Sequence, residues 1–177
     1  MCDDYDEAVP VLLTERLVIR PVLEQDAADI FEIRGDDDTA DDAGFPCMES
    51  IDEAVGYIDD YLYSDNCFCI LLKGEVIGLI EIYGDSELPT DSDYMGYYMK
   101  KQYRCKGYMT EALIALRKRW KEEGEEIPML WIFPGNNASC RVAEKSGWSY
   151  IDTCIVDINC FKNDGIAYFN QSVEIWG

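Results

Sequence analysis

The stretch Tyr103–Leu113, YRCKGYMTEAL, decides how the chain is read. After it, Met109, Ala112, Leu113, Leu116 and Trp120 recur at helical spacing, with Thr110, Glu111, Arg117, Lys118 and Lys121 mostly off that stripe and Gly124 as a stop. Before it, SDYMGYYM (92–99) reads as a strand. A strand entering a helix through a glycine-bearing turn leaves the first helical N–H groups without partners, and with the helix dipole they can receive an anion. Gly107 lacks the Cβ that would block close backbone approach, and Lys100, Lys101, Arg104 and Lys106 raise the local potential. A single glycine is weak evidence, because most such turns contain one and bind nothing. Neither G-x-x-x-x-G-K-[ST] nor G-x-G-x-x-G occurs, so a nucleotide read by those motifs is unsupported.

Working outward, TERLVIRPV (14–22) alternates like a strand, with Leu17 and Ile19 on one face. LEQDAADIFEIRG (23–35) gathers Ala27, Ile30, Phe31 and Ile33 on a helical face, and SIDEAVGYIDDYL (50–62) does so with Ile51, Ala54, Val55, Ile58 and Leu62. The Asp-rich GDDDTADDAGFP between them reads as a loop. CFCILLKGEVIGLIEIYGD (67–85) is a hairpin turning at Lys73-Gly74. MLWIF (129–133) suits a strand covered on both faces, NASCRVAEKSG (137–147) a helix ending at a glycine cap, and the tail a last hairpin turning near 163–165. The order implies an α/β domain over 1–177: a mixed sheet of about seven strands with about four helices on its faces.

The chain has 36 acidic and 15 basic residues, a net charge of −21, which opposes nucleic-acid binding. Residues 1–66 carry 20 acids against Arg16, Arg20 and Arg34, whereas 100–121 carry eight bases against Glu111. Each half reads either as a solvated face or as a site, one for cations and one for an anion. The eight cysteines show no C-x-x-C spacing and histidine is absent, so a metal site is not expected and free, mostly buried thiols are. Proton transfer near neutral pH then falls to carboxylate, Tyr, Lys, Cys, water or substrate. The acidic N-terminus does not read as a signal peptide and no apolar run is long enough to span a bilayer, which points to the cytoplasm and away from a membrane.

Arg104-Cys105-Lys106-Gly107-Tyr108-Met109 resembles the R/Q-x-x-G-x-G/A coenzyme A signature of the GNAT superfamily of N-acetyltransferases. Asn136-Asn137-Ala138-Ser139 followed by CRVAEKSGW resembles that family's second motif, and TERLVIRPV and IGLIEIYGD complete a match running from about Leu13 to the C-terminus. The nearest branch is that of the ribosomal-protein N-terminal (RimJ/RimL-like) enzymes. The resemblance implies an acetyl-CoA-binding core over 92–147, acceptor-side helices over 23–66 and an N-terminal extension over 1–12. Acetyl-CoA would bind as co-substrate where strands 93–99 and 129–133 splay apart. The amides from Cys105 through Lys106, Gly107, Tyr108 and Met109 to Thr110 would hold its pyrophosphate, beside Arg104. Met99 would pair through its backbone with the pantetheine arm, the Tyr97 amide would polarise the thioester carbonyl, and Asn136 and Ser139 would sit near the thiol. Met109 is larger than the family's usual residue and fits if it points into the core. Many relatives carry an acid tyrosine where this chain has Ala143, and Ser139 is the nearest substitute beside water.

The reaction implied is direct attack of a primary amine on the thioester, which requires a proton acceptor. Glu81, in the apolar run Val76–Tyr83, and Asp93 are the candidates, each with the competing reading of a solvated carboxylate. Tyr94 stands where branch relatives often have Glu. The acid-rich helices and their loop would form the acceptor site, with Asp36, Asp37, Asp38, Asp41 and Asp42 facing a polyamine, an aminoglycoside-like compound or a protein N-terminus, and Tyr57, Tyr61 and Tyr63 lining the pocket or packing the core. A homodimer is left open. The competing function is an acyl-CoA-binding sensor or partner module without turnover.

Overall fold

The computed structural model describes residues 11–43, 45–62, 64, 66–83, 93–162 and 165–177, with side chains described in those ranges except 156–172. Among the described residues the strands are β1 (Leu12–Leu13), β2 (Leu17–Pro21), β3 (Cys67–Leu72), β4 (Glu75–Tyr83), β5 (Tyr94–Met99), β6 (Met129–Ile132), β7 (Tyr150–Lys162) and β8 (Gly165–Trp176). The helices are α1 (Ala27–Arg34), α2 (Asp37–Ala43), α3 (Ile51–Tyr61), α4 (Tyr108–Glu123) and α5 (Asn137–Ser146). One sheet contains every strand, in the order β1-β2-β3-β4-β5-β6-β8-β7.

Neighbouring strands are antiparallel except β5 and β6, which run parallel and pair only at Tyr94–Met129 and Met95–Leu130. Beyond that pairing they splay. The β3–β4 hairpin turns at Lys73 and Gly74, both with positive φ (54° and 89°), the geometry a tight two-residue hairpin requires.

On one face α4 and α5 cover Leu17, Ile19, Phe68, Ile70, Met95 and Leu130. The α4 stripe is fully legible in the sequence: Met109, Ala112, Leu113, Leu116 and Trp120 are all buried. Each of the large ones contributes roughly 1.5–3 kcal/mol by leaving water. The other face carries α1 and α3 against Cys67, Cys69, Val76 and Leu79. On that face β6 and β8 meet Tyr94 in a smaller cluster with Trp131 and Phe133, so β6 is covered on both sides.

Several expectations change. The helix expected over 23–35 begins as a 3₁₀ turn (Glu24–Asp26) before α1. The Asp-rich loop contains α2, which has Asp37 and Asp38 in its favourable first turn, and Asp36 accepts hydrogen bonds from the Thr39 amide and hydroxyl at its start. With β1, this makes eight strands and five α-helices among the described residues. In α3, Ile51 and Val55 are exposed, and the inward face is Ala54, Tyr57, Ile58 and Tyr61. Cys67 and Cys69 are buried free thiols, Cys47, Cys140 and Cys154 are half-buried, and Cys105 is exposed. Tyr63 and the turn at 163–164 lie outside the described residues.

Candidate active site

The splay between β5 and β6 opens a cleft of about 430 Å³ that reaches both faces of the sheet. Main-chain alternation sets its chemistry. The Lys100 amide donates to Ile77 on β4, whereas the Asp93 carbonyl accepts from Met129 on β6. Strand polar groups alternate in direction, so those of Tyr97 and Met99 point into the gap. There the Met99 carbonyl accepts from Arg104 Nε at 2.9 Å.

At one end the turn after β5 curls through Cys105 (φ 60°) and Gly107 (φ 79°) into α4. Gly107 provides no side-chain cap, which leaves the first α4 amides without an intrahelical acceptor. Cys105, Gly107, Tyr108, Met109 and Thr110 all line the cleft, and the Met109 side chain is buried in the core.

The basic cluster divides. Arg104 lines the cleft, and its Nη2 donates to Thr39 Oγ1 on α2. Lys100 is buried and paired with Asp29 at 2.6 Å and Glu32 at 2.7 Å. Lys101 pairs with Asp36 and Asp38, and Lys106 turns outward to the Gln102 carbonyl. Lys106 therefore does not line the cleft. The opposite wall carries two cations that the sequence reading missed, Arg141 and Lys145 of α5. Their i, i+4 spacing opposite the buried Ala143 and Ser146 was the available signal.

Deeper in, Asn136 caps α5 by accepting from the Ser139 amide at 3.1 Å, and its Nδ2 donates to the Asp42 carbonyl at 3.4 Å. The Tyr97 hydroxyl donates to the Ser139 carbonyl at 2.9 Å, and burial pushes its pKa above the ordinary value. Ala143 is wholly buried in the core. A long anionic thioester with a thin arm, the co-substrate implied by the resemblance, fits this donor set: free helix-end amides and three cations, then inward-facing strand groups.

The other mouth, on the α1–α3 side, is aromatic. Tyr83, Tyr98, Trp131 and Phe133 line it with Thr39, Asp42, Ala43 and the backbone of Gly96. Tyr98 alternates with Gly96 on β5, and Trp131 with Phe133 beside β6, so period two places them on one face. The acceptor residues expected from the sequence are elsewhere. Asp36 and Asp38 are spent on Lys101, while Asp37 and Asp41 are not on the cleft; only Asp42 of that cluster lines it. Tyr57 and Tyr61 pack against each other behind the cleft, at 4.9 Å between ring centres. Burial, then the nearby Glu81, pushes the Tyr61 hydroxyl up to about 12.

Neither expected base lines the cleft. Asp93 is exposed at the paired end of β5. Glu81 is buried behind Tyr98, whose hydroxyl donates to Oε2 at 2.9 Å, while Arg34 and the Tyr57 hydroxyl bond to Oε1.

Comparison with known proteins adds the family. Residues 16–149 match the model of the Acetyltransferase (GNAT) domain. A GNAT-family acetyltransferase from Bacillus anthracis shares the fold with a TM-score of 0.71 at 19% identity, covering 94% of this chain and 96% of that one. RimL, the ribosomal L7/L12 α-N-protein acetyltransferase, gives 0.72 at 14% identity, covering 95% and 93%. The ribosomal-protein-S5-alanine acetyltransferase from Vibrio fischeri gives 0.70 at 16% identity, covering 95% and 96%. No match is found among curated protein sequences. The matched span takes in β2, the splayed strands, the glycine turn and α5, and on that ground the chain belongs to the GNAT family of acetyltransferases.

Proposed function

We propose that this GNAT protein acetylates a primary amine on a cationic acceptor, with acetyl-CoA as donor, by direct attack in a ternary complex. The observation that carries the reading is the single gap between β5 and β6, basic and amide-lined at one mouth, aromatic with Asp42 at the other. Two substrates entering from opposite faces of the sheet meet beside Gly96 and Tyr97. In this reading the Cys105–Thr110 amides, Arg104, Arg141 and Lys145 hold the phosphates. The Met99 and Tyr97 backbone aligns the arm and the thioester carbonyl, a preorganised donor of the oxyanion-hole kind. Asn136 and Ser139 flank the thiol. Aromatic faces and one carboxylate suit an ammonium group. RimL, by name, acts on a protein α-amino group, and a protein N-terminus stands beside polyamines and aminoglycosides among the acceptors to try.

The test is thermal unfolding with and without acetyl-CoA, with Gly107→Trp as the blocked control. At a hundred times Kd the ligand adds about 2.7 kcal/mol. A shift in the wild type that Gly107→Trp lacks supports the site, and its absence at millimolar acetyl-CoA overturns it. Release of CoA is then followed with spermidine, kanamycin and a peptide bearing a free N-terminus. Ala143, where relatives often have tyrosine, favours the second reading, an acyl-CoA-binding module. A thermal shift with no amine-dependent CoA release would establish that one instead.

A further inference from the structure

Glu81 is enclosed by chemistry that a surface base does not need. The residue is 4% exposed. The Arg34 guanidinium that pairs with it is stacked among the rings of Phe45, Tyr57 and Tyr98, at 4.1, 4.7 and 5.5 Å. The ionisable groups facing the carboxylate are Arg34 from α1, Tyr57 and Tyr61 from α3, Cys67 from β3, Tyr83 from β4 and Tyr98 from β5. Of these six, only Tyr83 and Tyr98 also line the cleft.

Tyr98 both lines the cleft and hydrogen-bonds to the carboxylate. Its hydroxyl donates to Glu81 Oε2 at 2.9 Å and lies over the bare Cα of Gly96, where a Cβ would come within 2.7 Å of the oxygen. Gly96 lines the cleft and precedes Tyr97, whose amide faces the gap. Burial, followed by the neighbouring Glu81 charge, raises the Tyr98 pKa well above its ordinary value. The hydroxyl therefore stays protonated and can pass a proton on without remaining ionised.

We infer that Tyr98 and Glu81 form a proton relay that discharges a bound ammonium before it attacks. The inference rests on the acetyltransferase reading above. One N–H bond of the ammonium breaks toward Tyr98 Oη as the Tyr98 O–H proton passes to Glu81 Oε2, leaving a neutral amine and a neutral Glu81 carboxyl beside Arg34. The amine lone pair then forms the C–N bond, the C–S pair leaves on sulfur, and the second proton lost from nitrogen reaches the thiolate through water. After product release Glu81 returns its proton to water through Tyr98. Tyr98 touches the acceptor; Glu81 acts through it as a positioning residue.

The experiment compares two near-isosteric acceptors, 2-phenylethylamine, a cation at neutral pH, and O-benzylhydroxylamine, which is neutral there. Tyr98→Phe keeps the ring. It should lower kcat/KM for the cation by about 10²- to 10⁴-fold, the usual yield of acid–base catalysis, and for the neutral acceptor by less than about tenfold. Its rate with 2-phenylethylamine should rise with pH toward the amine's own pKa, whereas the wild type levels off earlier. Glu81→Gln, checked for cooperative unfolding, should show the same selectivity, and both variants should keep the acetyl-CoA thermal shift. An equal loss with both acceptors, or no loss with either, overturns the relay while the retained shift leaves the acetyl-CoA site standing. Wild-type protein that binds acetyl-CoA yet never acetylates the cation also overturns it. A missing thermal shift is instead the failure of the underlying reading.

Discussion

Lys101 Nζ lies 2.8 Å from Asp36 and 2.7 Å from Asp38, tying the turn before α4 to the start of α2. The same seam holds Lys100 with Asp29 and Glu32, Gln102 with Glu32, and Arg104 with Thr39. Part of the acid-rich N-terminal segment is thus paired with the basic island within the chain, and two of the acids expected to meet an acceptor, Asp36 and Asp38, serve as clamps.

The seam makes stability fall in acid. The hydrogen bond from Lys101 holds Asp36 down at about 2, and the Lys100 contact holds Glu32 below its ordinary value. A depressed folded-state pKa gives stability that is present above the unfolded value of about 4 and is lost as pH falls through the folded one. The melting temperature should therefore drop between about pH 4 and about pH 2, and Asp36→Asn should flatten that limb. An unchanged limb in the variant would exclude Asp36 as a contributor.

Asp26 should matter more. Burial favours its neutral form, but two hydrogen bonds from Arg20 at 2.6 and 2.8 Å and one from the Leu23 amide hold its pKa below the usual range. Asp26→Asn leaves Arg20 without a counter-charge and should cost about 3–5 kcal/mol, as breaking buried pairs does. Urea unfolding measures it, and a loss under about 1 kcal/mol would show the pair to be replaceable.

Gly107→Ala and Gly74→Ala make a matched pair. Both positions have positive φ, and neither Cβ would meet a close neighbour, Arg16 Nη2 at 3.6 Å from position 107 being the nearest. Each should cost about 1–2 kcal/mol of backbone strain. Only Gly107→Ala should also weaken the acetyl-CoA thermal shift. Equal weakening in both would separate the turn from co-substrate binding.

Arg141→Ala combined with Lys145→Ala removes two cations from the wall facing the glycine turn. Acetyl-CoA affinity should fall about tenfold at low ionic strength, and by less in 1 M salt, where screening acts within about 3 Å. Titration calorimetry at the two salt concentrations tests it. A salt-independent loss would mean that packing, not charge, holds that wall.

Much of the scaffold was legible because it repeats a period. The α4 stripe, the Lys73-Gly74 hairpin and the apolar β6 all follow from spacing. Helix α2 was missed because its Asp content opposes helical propensity, whereas acids in a first turn and capping of Thr39 by Asp36 favour it. The turn and its amides were readable from Gly107. Arg141, Lys145 and the aromatic mouth were not, since they converge only when β5, β6 and α5 meet in space. The fate of Lys100, Lys101 and Glu81 depended on partners 17 to 71 residues away along the chain, which no local window holds.

The brevity of the β5–β6 pairing has a further consequence. An unpaired strand edge normally invites another chain and so risks aggregation. Here the open edge of β5 faces inward, walled by β6, α4 and α5, and is not presented at the rim of the sheet. The protein can leave main-chain groups unclaimed in the middle of its sheet, available to a slender guest and closed to fibril growth.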